Sequence, residues 1–177
     1  QPIDFRIVDP DTDKVRLGQF NVEFFRVNHN IPDSFGVVIN TPIGTVVHTG
    51  DFKVDFSPIN DKPIDLNRIA QIGGRGVLAL MADSTDSEHS GYQISESEIT
   101  NDLESIFIQA KGRIIVGTFA SLINRIQQII TLSEKYGRKI LLEGRSMNAN
   151  VEIAKDLGYL KIKPGIIVEE AEFKRLP

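Results

Sequence analysis

The residues able to do chemistry in this sequence stand at the ends of apolar runs. His29 lies in "NHNIPDS", Asn28 to Ser34, between a β-rich run ending at Val27 and a second run beginning at Phe35. His48 and Asp51 share "HTGD", where Gly50 permits a sharp backbone turn. A hairpin connects the two stretches, so His29 and Asp51 can meet in space. Imidazole with carboxylate is the donor set Zn²⁺ or Mn²⁺ uses when thiolates are lacking, and a catalytic zinc needs about three protein ligands and one open position. A strand-end histidine hydrogen-bonded to a neighbouring aspartate is the competing reading, and it is the commoner one for such spacing. Asp83, in "LMADSTDS", follows the strand that opens the second half of the chain, where open α/β sheets gather ligands. A loop-starting Asp in an Asp-Ser-Thr turn also has a purely local use. Arg145, Ser146 and Asn148 fall at a strand-to-helix turn, a place suited to an anionic oxygen; helix capping by Ser146 with Arg145 in solvent accounts for them equally well. His89 sits in a polar Gly-containing loop and reads as exposed.

Composition narrows the function classes. The 177 residues are 41% apolar and 25% charged, with 20 Lys plus Arg against 24 Asp plus Glu, so no global basic field advertises nucleic acid. A local groove can still be basic on an acidic chain. There is no cysteine, which excludes disulfide frameworks and thiolate metal clusters and fits a reducing compartment. No segment approaches the roughly 20 apolar residues of a membrane helix, and no basic head precedes an apolar run. The expectation is a soluble, cytoplasmic protein. There is no "GxxxxGK[ST]" phosphate loop, and the glycines of "IGGRG" end a helix more plausibly than they cradle phosphate.

The elements that must position these residues come in two styles. Up to about Asp55, short Val, Ile and Phe runs separated by Gly, Pro, Asn and Asp predict a β meander: Phe5–Val8, Lys14–Leu17, Val22–Val27, Phe35–Ile39 and Thr45–Thr49, with "NTPIG" as the hairpin between the last two. From Asp65 onward the pattern alternates. A helix capped by Asp65 runs to Ile72, "GVLALMA" is a strand, and Ser95 opens a helix to Ala110. Strand Arg113–Thr118, helix Ser121–Lys135, strand Lys139–Leu142, helix Met147–Leu157 and strand Gly165–Val168 follow. This order predicts a Rossmann-like layer of parallel strands. The predicted division is residues 1–60, β-rich, and residues 61–177, α/β. Because "EEAEFKRLP" follows an apolar strand with nothing left to cover it, partner segments are expected at one or both ends.

Taken in order, "VNHNIPDSFGVVINTPIGTVVHTGDFKVD", "LMADSTDSEHSGY", "GTFASLINRIQQII" and "LEGRSMNANVEIAKDLGYL" resemble the ribonuclease J family. The resemblance runs from about Leu17 to Leu160. It implies the second half of an αββα metallo-β-lactamase core over 1–60, followed by a Rossmann-like β-CASP portion over 61–177. By the same resemblance His29 is a metal ligand, and Asp51, which bridges two metals, and Asp83, which supports the metal shell, are the catalytic residues. Two zinc ions are the implied cofactors of the complete enzyme, RNA its substrate, and 5′ to 3′ exonuclease with endonuclease activity its chemistry. Its partners are then the remaining segments of the same polypeptide, in a homodimer or homotetramer, with no membrane.

The sequence also departs from the family pattern. The "HxHxDH" signature is not in these residues, Asn124 stands where His is usual, and Asn30 replaces a commoner Ser. Two or three ligands do not fill two metal sites, so the chain on its own is expected to be a fragment with little or no hydrolytic activity. Two other readings are a β-CASP hydrolase acting on DNA and a non-catalytic RNA-binding or assembly module.

Overall fold

In the computed structural model, which describes residues 3, 5–59 and 61–176, the chain divides into two compact units. The first comprises Gln1–His29 and Asp33–Gln93, the second Asn30–Pro32 and Ile94–Pro177. The contact boundary therefore falls after Gln93, whereas the compositional reading divides the chain at residue 60.

The first unit is built on one five-stranded mixed sheet in the order β1 (Lys14–Leu17), β2 (Phe20–Arg26), β3 (Phe35–Thr41), β4 (Gly44–His48), β5 (Ala79–Met81). The first four are an antiparallel meander, and the β3–β4 hairpin closes at Thr41 and Gly44 as the "NTPIG" turn predicts. Helix α1 (Leu66–Gly74) returns the chain so that β5 pairs parallel to β4. Asp65 caps it as expected, its carboxylate accepting from the Arg68 N–H at 2.9 Å. This crossover is why α1 and β5 belong to the first unit. Alternation along β2 sends Phe25 and Val27 to one face, where they pack with Val38, Val47, Ile64 and Ile72. Gly36 is what admits Phe25: a Cβ there would lie 2.1 Å from the ring. On the opposite face Phe24 meets Phe35 edge-on, with ring centroids 5.2 Å apart.

The second unit holds α2 (Glu96–Gln109), α3 (Ile123–Lys135), α4 (Arg145–Asp156) and the short α5 (Glu170–Phe173). Ile123, Ile126 and Ile130 recur at helical spacing and pack with Val151, Ala154 and Leu160. Buried Glu96 ties α2 to α3, accepting from Arg125 at 3.1 Å, while its backbone carbonyl accepts from Gln128 at 3.0 Å.

Four strand expectations fail. Phe5–Val8 forms no ladder, and Phe5 and Ile7 are exposed. Arg113–Thr118 likewise pairs with nothing among the described residues, and Ile115 is almost fully in solvent. Lys139–Leu142 and Gly165–Val168 meet only at one parallel bridge, Ile140 with Ile167. A strand exists by the partner it hydrogen-bonds, and apolar content alone does not supply that partner. The Rossmann-like layer is thus represented here by its helices and a single parallel bridge. Among the described residues no helix is long and apolar enough to cross a membrane.

Candidate metal centre

His29 is placed by the chain just beyond β2. The Asn28 carbonyl accepts from the Lys53 N–H at 2.8 Å, forming an isolated antiparallel bridge that draws the segment after β4 alongside. The Asn28 amide, fully buried, donates to the Lys62 carbonyl at 2.8 Å and fixes the position before the histidine. Asp51 lies two residues before Lys53 and so arrives opposite His29. His29 Nε2 and Asp51 Oδ2 stand 3.8 Å apart, the imidazole half-buried and the carboxylate largely in solvent.

The separation is wide for either reading of the pair. At 3.8 Å it is beyond hydrogen-bond range, which ends near about 3.5 Å. Two donors on one tetrahedral zinc, with bonds of about 2.0–2.2 Å, lie roughly 3.4 Å apart. At 3.8 Å the pair is wider than either geometry, a loose His–Asp contact at one end of the sheet. It supplies only two donors. Among the described residues no group of three His, Asp or Glu side chains converges on a common ion position.

The turn carrying Asp51 is fixed from within. Gly50 takes φ +64°, a left-handed conformation, and its N–H donates to His48 Nδ1 at 2.9 Å. His48 is thus a loop brace. The Thr49 hydroxyl donates to the Gly50 carbonyl at 2.7 Å and accepts from the Asp83 N–H at 3.0 Å. One side chain so couples the Asp51 turn to the loop after β5. Sequence reasoning passes over Thr49, whose signal is its place directly after a strand that ends beside another.

Asp83 is brought to the same end of the sheet, with its carboxylate already engaged by the Thr85 N–H at 2.9 Å and hydroxyl at 2.7 Å. Those bonds hold it below the ordinary carboxylate value. Desolvation opposes them, while the Phe52 N–H and the electrostatic influence of nearby His29 assist. The turn read from "DSTD" is present, with the Asp83 carboxylate held by Thr85.

Arg145, Ser146 and Asn148 belong to the second unit. Gly144, not Ser146, is the N-cap of α4, and no side chain caps that helix. Asn148 donates to the Gly144 carbonyl at 2.9 Å and the Leu142 carbonyl at 3.4 Å, so its amide serves the strand-to-helix turn. Arg145 and Ser146 remain exposed in the first turn. His89 is exposed as expected and pairs with Asp86, at 3.3 Å.

Residues 111–177 match the family model of the β-CASP domain of ribonuclease J. Nearly the whole chain extends the match. It is 51% identical over 171 residues to ribonuclease J of Thermus thermophilus, covering 96% of this chain and 30% of that protein. It is 41% identical over 173 residues to ribonuclease J of Helicobacter pylori, covering 98% and 25%. It is 39% identical over 156 residues to ribonuclease J2 of Bacillus subtilis, covering 88% and 28%. The resemblance to the ribonuclease J family therefore holds along almost all of this chain, which spans less than a third of each of these relatives. A crystal structure of a protein of unknown function from Enterococcus faecalis superposes with a TM-score of 0.64 at 15% identity, covering 98% of this chain and 43% of that one; it shares the fold.

Proposed function

We propose that this chain is a segment of a zinc-dependent ribonuclease J-like enzyme that hydrolyses RNA phosphodiester bonds. The observation that carries the reading is the approach of His29 Nε2 to Asp51 Oδ2 at 3.8 Å, in a chain related to ribonuclease J along nearly its whole length. The first unit is then the second half of a metallo-β-lactamase-like core. Its His29 offers an imidazole lone pair and its Asp51 a carboxylate with two oxygens, enough to touch two ions. Asp83, ordered by Thr85 and tied through Thr49 to the Asp51 turn, supports that pair without adding a donor to it. The zinc ions, when bound, supply the positive charge that stabilises phosphoryl oxygens. Further donors come from other parts of the full-length protein, and these residues alone are hydrolytically inactive. Arg145 and Ser146, at an uncapped helix start, are suited to an RNA phosphate.

Zinc content and RNA turnover of full-length protein carrying Asp51→Ala test the assignment. Both should fall to background, and wild-type values for both would overturn it. Two equivalents of tightly held zinc in the 177-residue chain alone would contradict the proposed half-site. Cleavage of matched RNA and DNA strands separates a ribonuclease from a β-CASP hydrolase of DNA, because only RNA offers a 2′-hydroxyl to read.

A further inference from the structure

In the first unit several cations gather on one sheet face around Glu23. Register places Lys14 opposite Glu23 and Arg16 opposite Asn21, and Asn21 opposite Asn40, so all five project from one face. Arg75, the C-cap of α1, reaches the same face. Together they line an open cleft of about 380 Å³. Among the described residues of its lining, buried Glu23 is the only acid, and it acts as an internal clamp. It accepts from Arg75 at 3.1 Å, from Asn40 at 2.9 Å and from Arg68, with Lys14 at 3.8 Å. Three cations thus pair with one carboxylate, and Arg16 lines the same cleft, on a chain whose net charge is −4.

The clamp leaves donors over. Arg75 gives Glu23 one hydrogen bond, Arg16 gives its Nε–H to the Gly18 carbonyl, and a guanidinium has five N–H groups. The Lys14 side chain is 68% exposed. Lys14 and Arg16, two residues apart on an extended strand, lie about 6.6 Å apart along it. That matches the scale of successive phosphates on an extended nucleotide chain. The cations rise from the sheet face, whereas an added peptide strand would take the free edge of β1 and leave them unused. Six residues of chain separate Glu23 from His29, about 20 Å if extended, so the cleft is distinct from the candidate metal centre.

We propose that this cleft binds the phosphate backbone of single-stranded RNA, with Lys14, Arg16 and Arg75 as its phosphate contacts. The proposal rests on the ribonuclease reading for its choice of polyanion.

Fluorescence anisotropy of a labelled single-stranded RNA, titrated with the 177-residue chain in EDTA over a salt series, tests it. Each phosphate contact on a single strand contributes about 0.7 to the slope of log affinity against log salt, so Lys14→Ala with Arg16→Ala should lower that slope by about 1.4. Affinity at low salt should fall roughly tenfold. Arg16→Ala alone should give half the change in slope. Lys155→Ala with Lys174→Ala removes the same charge elsewhere and should leave the slope as it was. Thermal melts confirm that each variant is folded. No RNA binding by the wild-type chain, or an equal loss from both double variants, overturns the cleft. EDTA keeps this outcome independent of zinc: the cleft can fail while Asp51→Ala still abolishes metal content and turnover in the full-length protein, and the reverse holds as well.

Discussion

The tight approach of a phenylalanine ring to a glycine in the first unit lends itself to a quantitative test. Phe25 is buried with its ring lying across Gly36 of the neighbouring strand, and a Cβ at position 36 would sit 2.1 Å from Cζ and 2.5 and 2.6 Å from the adjacent ring atoms. Carbon atoms rest at about 3.5 Å or more, so in Gly36→Ala the ring must retreat by roughly 1.4 Å. It has little room, since Val27, Val38, Val47 and Ile72 enclose the same core. Overpacking of this kind costs about 1–3 kcal/mol, and a clash with the tip of a rigid ring belongs toward the upper end. Phe25→Leu should itself cost about 1–2 kcal/mol by losing buried area, but it removes the ring that the introduced methyl group strikes. The double variant should therefore be less destabilised than the sum of the singles by at least about 1 kcal/mol. Urea unfolding of the four proteins, read by circular dichroism, gives this coupling directly. Additive losses, or a Gly36→Ala variant as stable as the parent, would refute the packing argument.

Two further outcomes follow from the same unit. Glu23 is buried among cations; desolvation raises its pKa, but the hydrogen bond and charge of Arg75, the charge of Lys14 and the Asn40 amide bring it net below its ordinary value of 4.5. A carboxylate depressed in the folded state adds stability that is present above the unfolded value and is lost as pH falls through the folded one. The melting temperature of the parent should therefore drop as pH falls below about 4.5 by more than that of Glu23→Gln, and at pH 7 the variant should be less stable by about 2 kcal/mol, its partners being partly in solvent. Thr49→Val removes the acceptor of the Asp83 N–H. Exchange of that amide with deuterium should accelerate while the β2 and β3 amides keep their protection, as mass spectrometry of peptides can show.

Much of the first unit was legible because local signals and tertiary demands agree there. The "NTPIG" hairpin, the Asp65 cap and the alternation of β2 are properties of a few neighbouring residues, and each appears where the sequence puts it. The family resemblance was legible for another reason: four motifs in fixed order are far more specific than any one of them. Where a partner was required, the sequence misled. Phe5–Val8 and Arg113–Thr118 carry strand-like residues, yet neither finds a ladder among the described residues, and Ile115 and Phe119 stand in solvent. The contact boundary departs from the compositional one for the same reason, since α1 and β5 look like the start of an α/β layer until β5 is seen pairing with β4.

For the candidate site, sequence alone determined which residue types stand after which strands, and so named His29, Asp51 and Asp83. Tertiary structure decided which of them meet. The Asn28–Lys53 bridge brings His29 within 3.8 Å of Asp51, and Thr49 joins the Asp51 turn to Asp83 by hydrogen bonds no spacing rule encodes. It decided equally that Arg75, far from Lys14 and Arg16 in the chain, shares one cleft with them around Glu23. Local conformation is fixed by neighbours in sequence, whereas charge and coordination depend on distances in space, and only strand register and the α1 crossover set those distances.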